Sequence, residues 1–154
     1  VVVLTKRTKY ALNALIHLAV QAGAGQPVMI AEVARAKSIP RKFLERILLD
    51  LKRHGYLESR MGKGGGYLLA RPADRIWIGD VVRLMDGPLA PVSCVSQTAY
   101  RRCPECGDEA GCGIRAVMKD VRDAIAEILD HTSLADMVER GRAGSVQRGL
   151  VYDI

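Results

Sequence analysis

Between Ile30 and Gly55 the chain carries two helical stripes of apolar residues separated only by Ser38, Ile39 and Pro40. Ile30, Val33 and Ala34 mark one face of a short helix over 30–37, and Phe43, Leu44, Ile47, Leu48 and Leu51 point inward from a second. Proline has a fixed φ and no N–H to donate, so it interrupts the first helix and suits the opening turn of the next. The outer face of the second helix is basic, with Arg41, Lys42, Arg46, Lys52 and Arg53. Two short amphipathic helices joined by a tight turn, the second with a basic outer face, make a helix-turn-helix pattern.

The flanking segments complete a domain. Tyr10, Ala11, Ala14, Leu15, Leu18 and Ala19 predict a helix from about Thr5 to Gln21, with Thr5 or Thr8 as its cap and Gly23 and Gly25 as its stop. After Gly55 come two strand-like pieces, 56–60 and 67–69, joined by Met61-Gly62-Lys63-Gly64-Gly65-Gly66, read as a flexible hairpin tip. P-loop and dinucleotide-binding spacings are both absent there, so the glycines propose a wing and not a nucleotide site. A brief helix over 78–85 closes at Gly87-Pro88. Residues 89–113 are irregular, and 114–131 form the longest helix, in which Ile114, Val121 and Ile128 recur every seven residues.

The expected fold is therefore mainly α (α+β). It comprises a winged helix-turn-helix domain with a two-stranded wing over 1–88, a cysteine-rich loop over 89–113, and a long helix suited to packing on another helix. That helix and a short following one occupy 114–140, and 141–154 form a loose tail with few apolar anchors.

Charge divides along the same boundary. Residues 1–75 hold 14 Lys and Arg against 5 Asp and Glu, whereas 76–154 hold 9 against 12. A basic half joined to a mildly acidic one points the first half at a polyanion. Affinity for DNA comes mainly from neutralised phosphates, which Arg46, Arg60 and Lys63 can supply, with the backbone of Gly64 and Gly65 at the wing tip. Base edges are in reach of Arg41, Lys42 and Glu45 at the exposed start of the second helix. Glu45 either accepts a hydrogen bond from a base amino group or belongs to a salt bridge on the helix surface.

The only cysteines, Cys94, Cys103, Cys106 and Cys112, lie within nineteen residues at C-x8-C-x2-C-x5-C spacing. Four thiolates complete a tetrahedral zinc site or ligate both irons of a [2Fe–2S] cluster. A loop with few hydrophobic residues gains cohesion from such a centre. The alternatives are surplus thiols or a redox disulfide. His17, His54 and His131 stand apart, each read as structural or solvent-facing, and no nucleophile–base set, carboxylate pair or HExxH pattern proposes an enzyme. Apolar runs are too short for a membrane span and no signal-peptide core is present, so a soluble, cytoplasmic protein is expected.

Three stretches carry a resemblance: LTKRTKYALNALIHLA, IAEVARAKSIPRKFLERILLDLKRHGYLESRMGKGGGYLLARP and IGDVVRLMDGPLAPVSC. Together, over about Leu4 to Val138, they resemble the Rrf-type family of bacterial winged-helix transcription regulators, of the IscR, NsrR and RirA kind. The resemblance implies a homodimer through the helix 114–131 and palindromic double-stranded promoter DNA as target. It also implies an iron–sulfur cluster, [2Fe–2S] in preference to [4Fe–4S], whose state alters DNA binding. The family's C-x5-C pair falls on Cys106 and Cys112, and Cys94 matches its first cysteine. Cys103 is an extra thiol or an alternative ligand. The sequence departs from IscR where that protein supplies a histidine after its last cysteine, here Arg115. It departs again where IscR places an arginine before the wing glycines, here Met61. Structural zinc, a thiol–disulfide switch, or a CymR-like partner-binding regulator are the alternatives to the cluster.

Overall fold

The computed structural model describes residues 4–152, with side chains through 148. In chain order it holds α1 (Lys6–Gln21), α2 (Ile30–Lys37), α3 (Arg41–Arg53), β1 (Leu57–Arg60), β2 (Gly66–Leu69), α4 (Ile78–Asp86), α5 (Gly113–Asp130) and α6 (Leu134–Tyr152). The expected helices and strands are present, and up to α5 their ends fall within a residue or two of their predicted positions.

Local chemistry explains the boundaries. Thr5 caps α1 by accepting the Thr8 N–H at 3.3 Å, and its own hydroxyl donates to Asp86 at the end of α4 at 2.5 Å. α2 stops at Ser38, the one non-glycine residue with positive φ among the described residues, and Pro40 precedes the first turn of α3. The core forms where α1, α3 and α4 meet, around Leu15, Leu44, Ile47, Leu48, Leu51, Ile76, Ile78 and Val81. Phe43, expected inward, is 57% exposed and meets the edge of Tyr10 with centroids 6.4 Å apart. One residue along a helix turns the side chain about 100°. Leu44, Ile47, Leu48 and Leu51 form the buried stripe, and Phe43 falls on its flank.

β1 and β2 pair antiparallel with Arg60 opposite Gly66. Val28, just before α2, extends the pairing by exchanging hydrogen bonds with Tyr67 at 2.8 and 2.9 Å. The glycines of the turn are consequently required, and looseness is not what they provide. A β-carbon on Gly65 would collide with the carbonyls of Arg60 and Gly62, and one on Gly66 with the carbonyl of Val28.

The end of the chain differs from expectation. Residues 141–152 continue α6 as helix where a short helix and loose tail were expected. Ser133 and Asp136 form a reciprocal cap: the Ser133 N–H and hydroxyl each donate to Asp136 at 2.8 Å, and Asp136 N–H returns to Ser133 at 3.1 Å. With Leu134 fully buried, the first turn is nucleated, and propagation through Gly141 and Gly144 then costs only about 1 kcal/mol per glycine.

Candidate functional site

On α3, Arg41, Lys42 and Arg46 project from the exposed face of the helix whose opposite face is locked into the core. Glu45 accepts a hydrogen bond from Arg41 at 3.3 Å, one helical turn apart, so the surface salt bridge is the arrangement present in the free protein. Lys52 is drawn sideways to the Ser59 hydroxyl at 2.5 Å, tying α3 to β1. In the wing, Arg60 lies 3.9 Å from Glu58, and Lys63 and Gly64 are exposed at the tip beside Met61, which is 94% exposed. Gly65 is only partly exposed because it is folded against the turn's own backbone. Arg41, Lys42, Arg46, Arg60 and Lys63 are all exposed, and the Lys52–Ser59 bond ties the helix that bears the first three to the wing. A protruding helix face and hairpin with this charge match the major groove and flanking phosphates of duplex DNA.

The cysteines converge as well. Cys94 is buried in the short 3-10 turn Ser93–Val95, and Cys103, Cys106 and Cys112 are half-buried on the loop before α5. All four thiols are free, and all four line one pocket of about 400 Å³ with Val92, Ile114 and Arg115. Cys112 caps α5, its sulfur accepting the Arg115 N–H at 3.5 Å. Cys103 donates to Glu105 at 3.1 Å, and that bond holds its thiol above the ordinary cysteine range. Cys106 is pushed up by loss of hydration and then by the negative charge of Cys112 and Glu109. These thiols are close enough to feel one another, yet among the described residues no three His, Cys, Asp or Glu groups stand in a metal-holding arrangement. The donor set itself, four soft sulfur atoms facing one space, suits zinc or an iron–sulfur cluster. Such a centre requires the loop to draw its sulfurs inward.

Several residues that hold this site were not legible in the sequence. Arg122 on α5, only 13% exposed, donates to the Val95 carbonyl at 2.5 Å beside Cys94 and pairs with Asp123. It fastens the cysteine loop to the helix. At the other end of α5, Arg83 makes a bidentate pair with Asp130 at 2.6 and 2.9 Å, and that bond holds the Asp130 carboxyl below the usual carboxylate range. Ile78 N–H to Thr132 and Leu134 N–H to Ile76, at 3.0 and 2.8 Å, add a backbone bridge between the start of α4 and the α5–α6 junction. The helix is thereby anchored on the winged domain at one end and on the cysteine loop at the other. Its remaining face is open: Ile114, Val117 and Ile128 are 70%, 57% and 61% exposed. No helix among the described residues is long and apolar enough to cross a membrane.

The helix-turn-helix, the wing and the basic surface define a DNA-binding transcription regulator. Residues 4–140 match the Rrf2 family, described as iron-dependent transcriptional regulators, and the chain belongs to that family. It is 41% identical over 140 residues to an rrf2-like regulator of Rhodobacter capsulatus, covering 90% of this chain and 93% of that protein. It is 31% identical to the regulator IscR of Sodalis glossinidius, over 88% of this chain and 78% of the relative. Among solved structures it is similar to CymR, the global cysteine regulator of Bacillus subtilis. There the TM-score is 0.76 and the identity 28%, covering 91% of this chain and 98% of that one.

Proposed function

We propose that this regulator acts as a homodimer on palindromic double-stranded promoter DNA. It reports iron–sulfur, redox or nitric-oxide status through a cluster held by Cys94, Cys103, Cys106 and Cys112, [2Fe–2S] in preference to [4Fe–4S]. One observation carries the reading: four thiols, the chain's only cysteines, line a single pocket whose wall is the first turn of α5. An iron–sulfur centre supplies a group that oxidation or nitrosylation can alter or destroy. The chain supplies the rest. Arg41, Lys42, Glu45 and Arg46 meet the major groove, while Arg60, Lys63, Gly64 and Gly65 hold the flanking backbone. The open stripe of α5 packs on its twin.

Coupling follows from the anchors. Arg122 ties the Cys94 turn to α5, and Arg83 ties the far end of α5 to the winged domain. A loop drawn tight around its sulfurs sets the start of α5, and hence the spacing of two recognition helices across a dimer axis. The test replaces Cys106 and Cys112 together with alanine and measures operator affinity under reducing, oxidising and nitric-oxide conditions. The wild type is expected to change affinity between conditions and the double variant to stay fixed. A double variant that still tracks the wild type in every condition would falsify the reading.

A second reading, a thiol–disulfide switch or structural zinc, is favoured by one feature. Cys106 and Cys112 line the same pocket, and every thiol is free. Mass analysis of the oxidised chain separates the disulfide from the first reading, because closing it gives two protons and two electrons to the oxidant, a loss of two hydrogens that reduction restores.

A further inference from the structure

Arg115 sits in the first turn of α5, and its side chain lines the cysteine pocket. Its Nε is shut off from solvent and has no hydrogen-bond partner. A buried donor left unpaired costs about 1–3 kcal/mol, and more when it belongs to a charged group. Native proteins seldom tolerate this unless an acceptor is supplied from outside the chain.

Each carboxylate of the loop already has a partner of its own. Glu105 receives the Cys103 thiol, and Glu109 receives the Tyr100 hydroxyl at 2.6 Å. Asp108 receives the backbone N–H groups of Ala110 and Gly111, both at 3.0 Å. Arg115 lines the same pocket as the four cysteine sulfurs, and no carboxylate oxygen bonds its Nε. A guanidinium has five donors and no acceptor lone pair, so it is a poor metal ligand and a good partner for anionic sulfur.

We propose that Arg115 is a positioning residue for the cysteine-held iron–sulfur centre, donating its Nε–H to a sulfur atom and setting the centre's reduction potential. The inference rests on the cluster reading above. Four thiolates and two sulfides bring more negative charge than two irons neutralise, and reduction adds another electron. A fixed cation and donor at the wall stabilise the reduced form more than the oxidised one.

The experiment is a spectroelectrochemical titration of the full chain purified without oxygen. It compares wild type, Arg115→Gln, Arg115→Lys and Lys119→Gln, with iron and acid-labile sulfide measured on each. Arg115→Gln keeps a polar chain without the charge, and it is expected to shift the reduction equilibrium about tenfold toward the oxidised form, about 59 mV lower for one electron. Arg115→Lys is expected to recover most of that shift. Lys119→Gln removes an exposed charge one turn further along and is expected to do little. Arg115→Gln losing the centre while Arg115→Lys keeps it meets the same expectation. An unchanged midpoint in a cluster-containing Arg115→Gln protein overturns the role of Arg115 alone. So does loss of the centre in both Arg115 variants, since charge is then not what the site needs. A wild type without sulfide overturns this inference together with the reading beneath it.

Discussion

Replacing Ile128 with aspartate is expected to separate two protomers while leaving each folded. Ile128 lies on the face of α5 that carries Ile114 and Val121 at seven-residue spacing, and it is 61% exposed in the single chain. Complete burial of an aliphatic side chain is worth about 1.5–3 kcal/mol, so covering the open part of Ile128 contributes about 1–2 kcal/mol per protomer. A two-fold interface contains the residue twice, which makes the contribution about 2–4 kcal/mol per dimer. In the dimer dissociation constant that is roughly 30-fold to 1000-fold. Desolvating two carboxylates adds to the loss, so the aspartate variant is expected at the upper end. Sedimentation velocity over a concentration series reads the constant, and circular dichroism at each concentration checks that helix content is retained. A variant that dissociates over the same concentrations as the wild type refutes the assignment of this stripe. A wild type that is monomeric throughout refutes it as well.

Gly66→Ala places a β-carbon against the Val28 carbonyl. It is expected to destabilise the chain by about 1–3 kcal/mol and to weaken DNA binding by displacing the wing, read by urea melts and by operator titration. Lys63→Ala, at the exposed wing tip, is expected to weaken binding alike across DNA sequences and to reduce the slope of log affinity against log salt by about 1. Because Arg83 holds Asp130 below its unfolded pKa, that pair stabilises the fold at neutral pH. Its contribution is lost as pH falls below about 4 and on through the depressed value. Asp130→Asn is expected to lower stability at neutral pH and flatten that acid limb, measured as urea midpoint against pH.

The helix-turn-helix was legible because its determinants are local: a stripe, a stop, a proline and a second stripe, all within 26 residues from Ile30 to Gly55. The basic surface was legible for the same reason, since residues on one face of a helix are fixed by spacing alone. Phe43 was misplaced because one-residue offsets decide burial and spacing rules blur them. The length of α6 is only half legible: Ser133 and Asp136 spell a capping box, while the glycines and polar residues after Arg140 have low helix propensity and point to an earlier end. The cysteine pocket lies between these extremes. Sequence clustering implied one site, but Arg122 reaches the Val95 carbonyl only because α5 packs back beside the Cys94 turn, whereas Arg115 lines the pocket from three residues after Cys112. Nothing in the order of residues marks an arginine on a helix as a partner of a loop carbonyl. The role of the wing glycines was half legible: their number signalled a turn, while the close approach of Gly66 to Val28 depends on tertiary pairing.

Whether the four cysteines hold an iron–sulfur cluster is decided by an ultraviolet–visible spectrum with iron, sulfide and zinc analysis on protein purified without oxygen. A brown sample with iron matched by acid-labile sulfide, lost when Cys106 and Cys112 are replaced together, is the predicted result. A colourless sample holding zinc and no sulfide would contradict the claim and leave the DNA-binding half of the account standing alone.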